Sequence, residues 1–183
     1  KGLSEADLEN TVSIEDHFEH VMELTASMPL YLALPEILHE LISTSLTIVW
    51  NPGTAPGAFY APTLRASIEN EYSILKTCSL SRIPLTSTVL GNEFDLVREL
   101  LPISNSQMYF PLVLENGTLV AIIQLLRESP MALFDDNDIQ IANYFMQKFA
   151  IHGSLFFMSS ENVRIAQNFI RVTAGNGILK YLT

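Results

Sequence analysis

The chain has a single cysteine, Cys78, in 183 residues. An internal disulfide and a cysteine metal site are both excluded, and the expected setting is a reducing, cytoplasmic compartment. Basic residues are also scarce: ten Lys and Arg stand against twenty Asp and Glu, for a net charge of −10. They form no basic run, which argues against nucleic acid, whose phosphates call for clustered Lys and Arg, and against anionic membrane surfaces. A membrane-spanning helix needs about 18 consecutive apolar residues, and no such run occurs; no signal peptide is visible. The eight glycines are dispersed, leaving no glycine-rich phosphate loop. The chain opens on Lys1 and stops in the apolar phrase "ILKYLT". Both ends read as cuts in a longer polypeptide.

What is present is core material: hydrophobic residues make up 48% and charged residues 16% of the chain, the balance of a globular domain. Ser13-Ile14-Glu15-Asp16 reads as a capping box, and Ile14, Phe18, Val21 and Met22 follow at helical spacing, predicting a helix over 14–27 that Pro29 ends. Pro35 suits the first turn of a second helix running to about Ser45, with Ile37, Leu38, Leu41 and Ile42 as its stripe. "LTIVWNPG" predicts a strand and a turn, and "GAFYAPTL" a partner strand that Pro62 places at an edge or ends. Residues 66–82 have helical spacing, with Ile68, Tyr72, Leu75 and Cys78 on one side. "IPLTSTVL" is extended, and "NEFDLVRELLP" is a short amphipathic helix. Asp135 is a good N-cap for a last long helix: Asp138 can return the bond, and Phe134 and Ile139 hold the two staple positions. A further helical stretch reaches about Thr173. Because consecutive strands are joined by a hairpin, the expected class is α+β with an antiparallel sheet.

That hairpin, "FPLVLENGTLVAIIQLL", poses the main question. Asn116-Gly117 supplies the turn, read as type I′ with positive φ at both residues. The second strand does not alternate as a half-wet strand should: Val120, Ala121, Ile122, Ile123, Leu125 and Leu126 are apolar and Gln124 alone interrupts them. Something must cover its second face.

Three segments resemble the GAF domain. "SILKTCSLSRIPLTST" is similar to the GAF helix that ends in small residues before a proline-containing strand. "MYFPLVLENGTLVAIIQLLRE" resembles the hairpin of the two central strands, and "FDDNDIQIANYFMQKFAIHGSLFF" the closing helix. The resemblance implies a GAF-like, PAS-related fold with helices on both faces of the sheet. The N- and C-terminal helices pack on one face, and middle helices and loops roof a small-molecule pocket on the other. Val120 and Ile122 would then face the helical layer and Ala121, Ile123 and Leu125 the roof, or the reverse. It further implies a domain over 15–157, with 1–14 as an extension and 158–183 as a helical connector. Cyclic-nucleotide-binding members carry Asn-Lys, then Phe, three residues, and Asp-Glu. Here Phe134 and Asp138 match, whereas Arg127-Glu128 stand at the Asn-Lys place and Ile139 replaces the Glu. Bilin-binding members use Cys-His, but Cys78 is followed by Ser79; GAF-type methionine sulfoxide reductases need more than one cysteine.

No enzyme constellation is legible. The histidines are His17, His20, His39 and His152, all on predicted helices, without a metal spacing such as HExxH; no metal or other cofactor is expected. Candidates for lining the implied pocket are Trp50, Tyr72, Leu75, Tyr109 and Gln124, since Trp and Tyr offer a ring and a polar tip. Either they line a site for a small-molecule effector, such as a cyclic nucleotide, or they fill the space themselves. The corresponding functions are a non-catalytic sensing and dimerisation domain of a signalling protein, or a ligand-free structural domain. The apolar residues Phe156, Phe157, Met158, Val163, Phe169 and Ile170 add the expectation of a parallel homodimer through the terminal helices.

Overall fold

The hairpin strands of the sequence become central strands of a six-stranded antiparallel sheet. The structure, a computed structural model, describes residues 30–151. The helix expected over 14–27, the terminal stretch to Thr173 and the domain boundaries at 14 and 157 lie outside those residues. In chain order the elements are α1 (Leu30–Leu41), β1 (Leu46–Pro52), β2 (Ala58–Ala61), β3 (Ala66–Glu69), α2 (Ile74–Ser81) and β4 (Leu85–Ser87), then a 3₁₀ turn (Asn92–Phe94), α3 (Asp95–Leu100), β5 (Ser104–Val113) and β6 (Leu119–Glu128). A closing helix, α4, covers residues 136–151. The strand order is β3-β2-β1-β6-β5-β4, and every neighbouring pair is antiparallel. None of the described helices is long and apolar enough to cross a membrane.

Both faces of β6 are dry, which answers the question its sequence raised. Ala121, Ile123 and Leu125 pack with Val49, Met108 and Phe110 against α1 and α4, through Leu34, Leu38, Phe145 and Phe149. Ile122 and Leu126 join Ile48, Trp50 and Tyr109 beneath Leu75, Cys78, Phe94 and Val97 of the roof. The register is therefore the reverse alternative, with odd positions on the helical side. Val120 still contacts the helical cluster while Leu119 contacts the roof cluster. A β-bulge explains this: Leu112 pairs with Ala121 but Val113 with Leu119, so Val120 is the extra residue and alternation skips one step.

Four local expectations change. α1 extends N-terminally to Leu30 and keeps Pro35 in its interior rather than in its first turn. Pro35 forfeits one backbone bond, offset by burial of Leu34, Leu38 and Ile42 along one side. Residues 66–82 are not one helix. Ala66–Glu69 form β3 and pair with β2 across a turn in which Arg65 has φ 51°, and only Ile68 of that strand is buried. A four-residue strand carries too few alternations to compete with a helical reading of the same letters. Asn70 then turns the chain, its Oδ1 accepting from the Tyr72 N–H at 2.9 Å. Ser73 caps α2, its Oγ accepting from the Lys76 N–H. β5 begins six residues before the expected hairpin, at Ser104. The hairpin turn is also not type I′: Gly117 has φ 89°, and Asn116 is not among the residues of positive φ. The Gly117 N–H bonds Leu114 O and the Leu114 N–H bonds Thr118 O, both at 2.9 Å. That is a type I turn followed by a left-handed glycine. Asn116 contributes its side chain instead, Oδ1 accepting from the Thr118 N–H.

The α4 cap forms as read. The Asp138 N–H donates to Asp135 Oδ1 and the Asp135 N–H to Asp138 Oδ2, both at 2.9 Å. The bond from the Asp138 N–H holds the Asp135 carboxyl below its ordinary value.

The turn geometry separates the two hairpin residues. Gly117→Ala forces a side chain into positive φ with open space around it, so strain is the whole effect, about 1–2 kcal/mol. Asn116→Ala removes one exposed bond, about 0.5 kcal/mol or less. Urea denaturation should show a lower midpoint at unchanged slope for the first and little change for the second; equal losses would restore the type I′ turn.

Candidate functional site

The roof side of the sheet brings four of the five candidate residues together. Trp50 comes from β1, Tyr109 from β5 and Gln124 from β6, which lies between those two strands. Tyr109 and Gln124 are paired directly across the ladder, and Trp50 pairs with Ile122, two residues before Gln124 and so on the same face. All three are essentially without exposure, at 1%, 0% and 0%. Leu75 reaches the same cluster from α2. The fifth candidate, Tyr72, lies in the turn before α2 and is 92% exposed, so it lines nothing. Its placement on the inner side rested on helical spacing through 66–82, which β3 and the Asn70 turn interrupt.

The polar tips satisfy one another. Trp50 Nε1–H donates to Gln124 Oε1 at 2.7 Å, and Gln124 Nε2 donates to Tyr109 Oη at 3.2 Å. Gln124, the one polar letter in its apolar run, is thus the bridge between two aromatic rings. Phe94, from the 3₁₀ turn, sits over both: its centroid lies 5.9 Å from that of Trp50 and 6.0 Å from that of Tyr109. Reading "NEFDLVRELLP" as a short amphipathic helix gave Phe94 no such place. The available signal was a lone aromatic at the start of that segment, which only the tertiary fold could assign to the pocket.

The titratable groups here are kept neutral. Burial pushes the Cys78 thiol up to about 12, so thiolate is nearly absent at neutral pH. Burial likewise raises the Tyr109 phenol, with Glu93 and Cys78 adding to the rise and the Gln124 bond opposing it. The site thus presents no nucleophile and no base poised near neutrality. What it offers chemically is a closed amide bridge and three rings.

Two clefts lie elsewhere. One of about 340 Å³ opens beside Glu36 and His39 of α1 and Thr44–Thr47. The other, of about 260 Å³, lies between the β1–β2 loop and α2. Trp50, Tyr109 and Gln124 line neither.

The bridge has a testable energetic signature. Gln124→Leu leaves the Trp50 N–H and the Tyr109 hydroxyl without their partner in a dry site, at a cost of about 2–4 kcal/mol. Combining it with Trp50→Phe and Tyr109→Phe removes the orphaned groups. The triple variant should recover part of that loss in urea denaturation; a triple variant less stable than the single one would mean that packing, not the bridge, governs the site.

No protein-family model matches the sequence, and no curated protein matches it. Solved structures do. The chain is similar to the GAF domain of a phosphoenolpyruvate-protein phosphotransferase from Coxiella burnetii, with TM-score 0.59, 11% identity, and 87% of this chain and 99% of that one covered. It is similar to a GAF sensor protein from Burkholderia vietnamiensis, with TM-score 0.56, 13% identity and coverage of 83% and 98%. A third likeness is to a free methionine-R-sulfoxide reductase from Neisseria meningitidis, solved with its substrate, with TM-score 0.54, 11% identity and coverage of 91% and 96%.

Proposed function

Since the chain has the GAF fold, we propose that it is a regulatory domain of a larger signalling protein, without catalytic activity of its own, whose roofed pocket is occupied by its own side chains. The observation that carries this reading is the closed Trp50–Gln124–Tyr109 bridge under Phe94. A cyclic nucleotide needs a cleft of about 300 Å³ or more with polar groups aimed into it. Here the polar groups of the roof space are spent on each other. Catalysis by the chemistry of the reductase neighbour is disfavoured for this chain. Its single cysteine lies buried in the roof cluster, and its thiol is held protonated.

Trp50 is the chain's one tryptophan, so its fluorescence reports the site directly. Emission should be blue-shifted in the folded chain and unmoved by cAMP or cGMP, with no rise in thermal midpoint. A ligand at about 100 times its Kd would add about 2.7 kcal/mol of stability. A red shift of Trp50 together with a thermal gain would show a ligand opening the roof and would overturn the filled pocket in favour of direct sensing.

The same proposal keeps the homodimer. Phe156, Phe157, Met158, Val163, Phe169 and Ile170 are a concentration of apolar residues in the sequence, and two copies paired in parallel would cover them. Sedimentation equilibrium of the 183-residue chain at tens of micromolar should give a dimer, and truncation at residue 157 a monomer. A monomeric full chain would remove dimerisation from the function.

A further inference from the structure

The cleft between the β1–β2 loop and α2 has the makings of a second, peripheral site. α2 turns Leu75 and Cys78 into the core under the roof, and its neighbouring side presents Lys76 and Ser79, three residues apart, to the cleft. The opposite wall is the loop after β1, including Gly53, Pro56 and Gly57, and Phe59 and Leu119 contribute apolar surface. The loop is fixed by its own bonds: the Gly53 N–H to Ala58 O at 2.8 Å, the Ala58 N–H to Ala55 O at 3.1 Å and the Asn70 N–H to Gly57 O at 3.1 Å. Gly57 has φ 73° and packs so closely that an added Cβ would lie 2.8 Å from Asn70 O. The far end of α2 is tied as well, Arg82 Nη2 donating to Gly117 O at 3.2 Å. Both walls are therefore built before any ligand arrives.

Lys76 gives the cleft its chemistry. It is half-buried, and in a chain of net charge −10 its ammonium has no ion pair among the described residues. Arg98 and Arg127, by contrast, are paired with Asp95 and Asp138. Ser79 Oγ donates to Lys76 O at 2.7 Å, so its proton is committed and it offers a ligand only an acceptor. An ammonium beside a partly apolar cavity of about 260 Å³ suits an anion carrying a short hydrocarbon body. We infer that this cleft binds a small organic anion, a carboxylate or phosphate monoester, with its charge on Lys76 and its apolar part against Phe59 and Leu119. The inference does not depend on the central pocket being filled.

Valerate and butyl phosphate are suitable probes, with pentanamide and inorganic phosphate as controls. Isothermal titration on the 183-residue chain should show at least one of the two probes binding with Kd on the order of 1 mM or tighter, the range expected for ligands of that size. Which of them binds identifies the anion. Pentanamide should not bind, and inorganic phosphate should bind at least tenfold more weakly than the better probe. Lys76→Met should weaken binding at least tenfold. Ala55→Trp, which fills the cleft from an exposed loop position, should abolish it, and both variants should keep the parent thermal midpoint. Absence of binding by both probes, affinity that survives Lys76→Met, or inorganic phosphate binding as tightly as butyl phosphate would each overturn the site.

Discussion

Arg127 is the contact on which the helical side of this fold depends. It stands near the end of β6, and its side chain is 9% exposed. Its Nε–H donates to Ser43 O at 2.7 Å, binding the link between α1 and β1. Its two terminal nitrogens reach Ala132 O and Leu133 O and the two oxygens of Asp138, at 3.1 and 3.3 Å. The guanidinium also lies 4.2 Å above the Phe134 ring. Thus one side chain ties the sheet to α1, to the loop after β6 and to the first turn of α4. Asp138 is shared, since the oxygen that takes the Arg127 bond also accepts the Asp135 N–H that starts the helix. Removing either partner leaves the other charge buried and uncompensated, a loss of about 3–5 kcal/mol. A lysine could not make this set of contacts, because it lacks the planar fork that serves three carbonyls and a carboxylate together.

The two faces of the sheet are held by different physics. On the helical side the inner layer is aliphatic and aromatic from Val49 and Ile123 to Phe145 and Phe149, and polar contacts lie toward one end, at Arg127 with Asp138 and at Ser106, whose Oγ accepts from the Phe134 N–H. On the roof side the polar contact is at the centre. Gln124 lies in the middle of β6 with zero exposure, and it is tolerated there because Trp50 and Tyr109 take its oxygen and its nitrogen. Such a bridge fixes the Trp50 and Tyr109 rings more narrowly than dispersion alone would, since losing a buried polar partner carries a high cost.

Much of this was legible beforehand because long, strongly patterned segments dominate it. The continuous apolar run of β6 announced burial on both faces, and the Phe134-Asp135-Asp138-Ile139 set announced the start of α4. What failed were short elements and choices between mirror alternatives. β3 is four residues long and was hidden inside a helical spacing, which carried Tyr72 wrongly into the pocket. The side of β6 facing the helices could not be read from a run apolar on both sides; the ladder with β1 and β5 sets it. Asn116-Gly117 fits a type I′ turn and a type I turn with a left-handed glycine equally well, and the bulge at Val120 chose between them. The pocket candidates were picked for their chemistry, and Trp50, Tyr109 and Gln124 did converge. That their polar tips bond one another follows from distances that no spacing rule encodes.

A ligand that took the place of the Trp50–Gln124–Tyr109 contacts would have to open the bridge, and the energetics of doing so limit what could bind there. Two buried hydrogen bonds contribute about 1 kcal/mol each, and separating the Phe94 contacts with Trp50 and Tyr109 adds about 0.5–1.5 kcal/mol per aromatic pair. Opening therefore costs about 3–5 kcal/mol, and the open form is on the order of one molecule in a few hundred to a few thousand. Apparent affinity falls by that same fraction, so a ligand of intrinsic nanomolar affinity would be seen as roughly micromolar. It could recover the difference only by accepting from the Trp50 N–H and donating to Tyr109 in place of Gln124, while filling the volume that Phe94 vacates. The peripheral cleft carries no such penalty. Its loop and helix are already in place, and Lys76 faces it without a counter-ion among the described residues. On physical grounds, binding of the inferred anion at this peripheral cleft would thus cost less than displacing the central bridge.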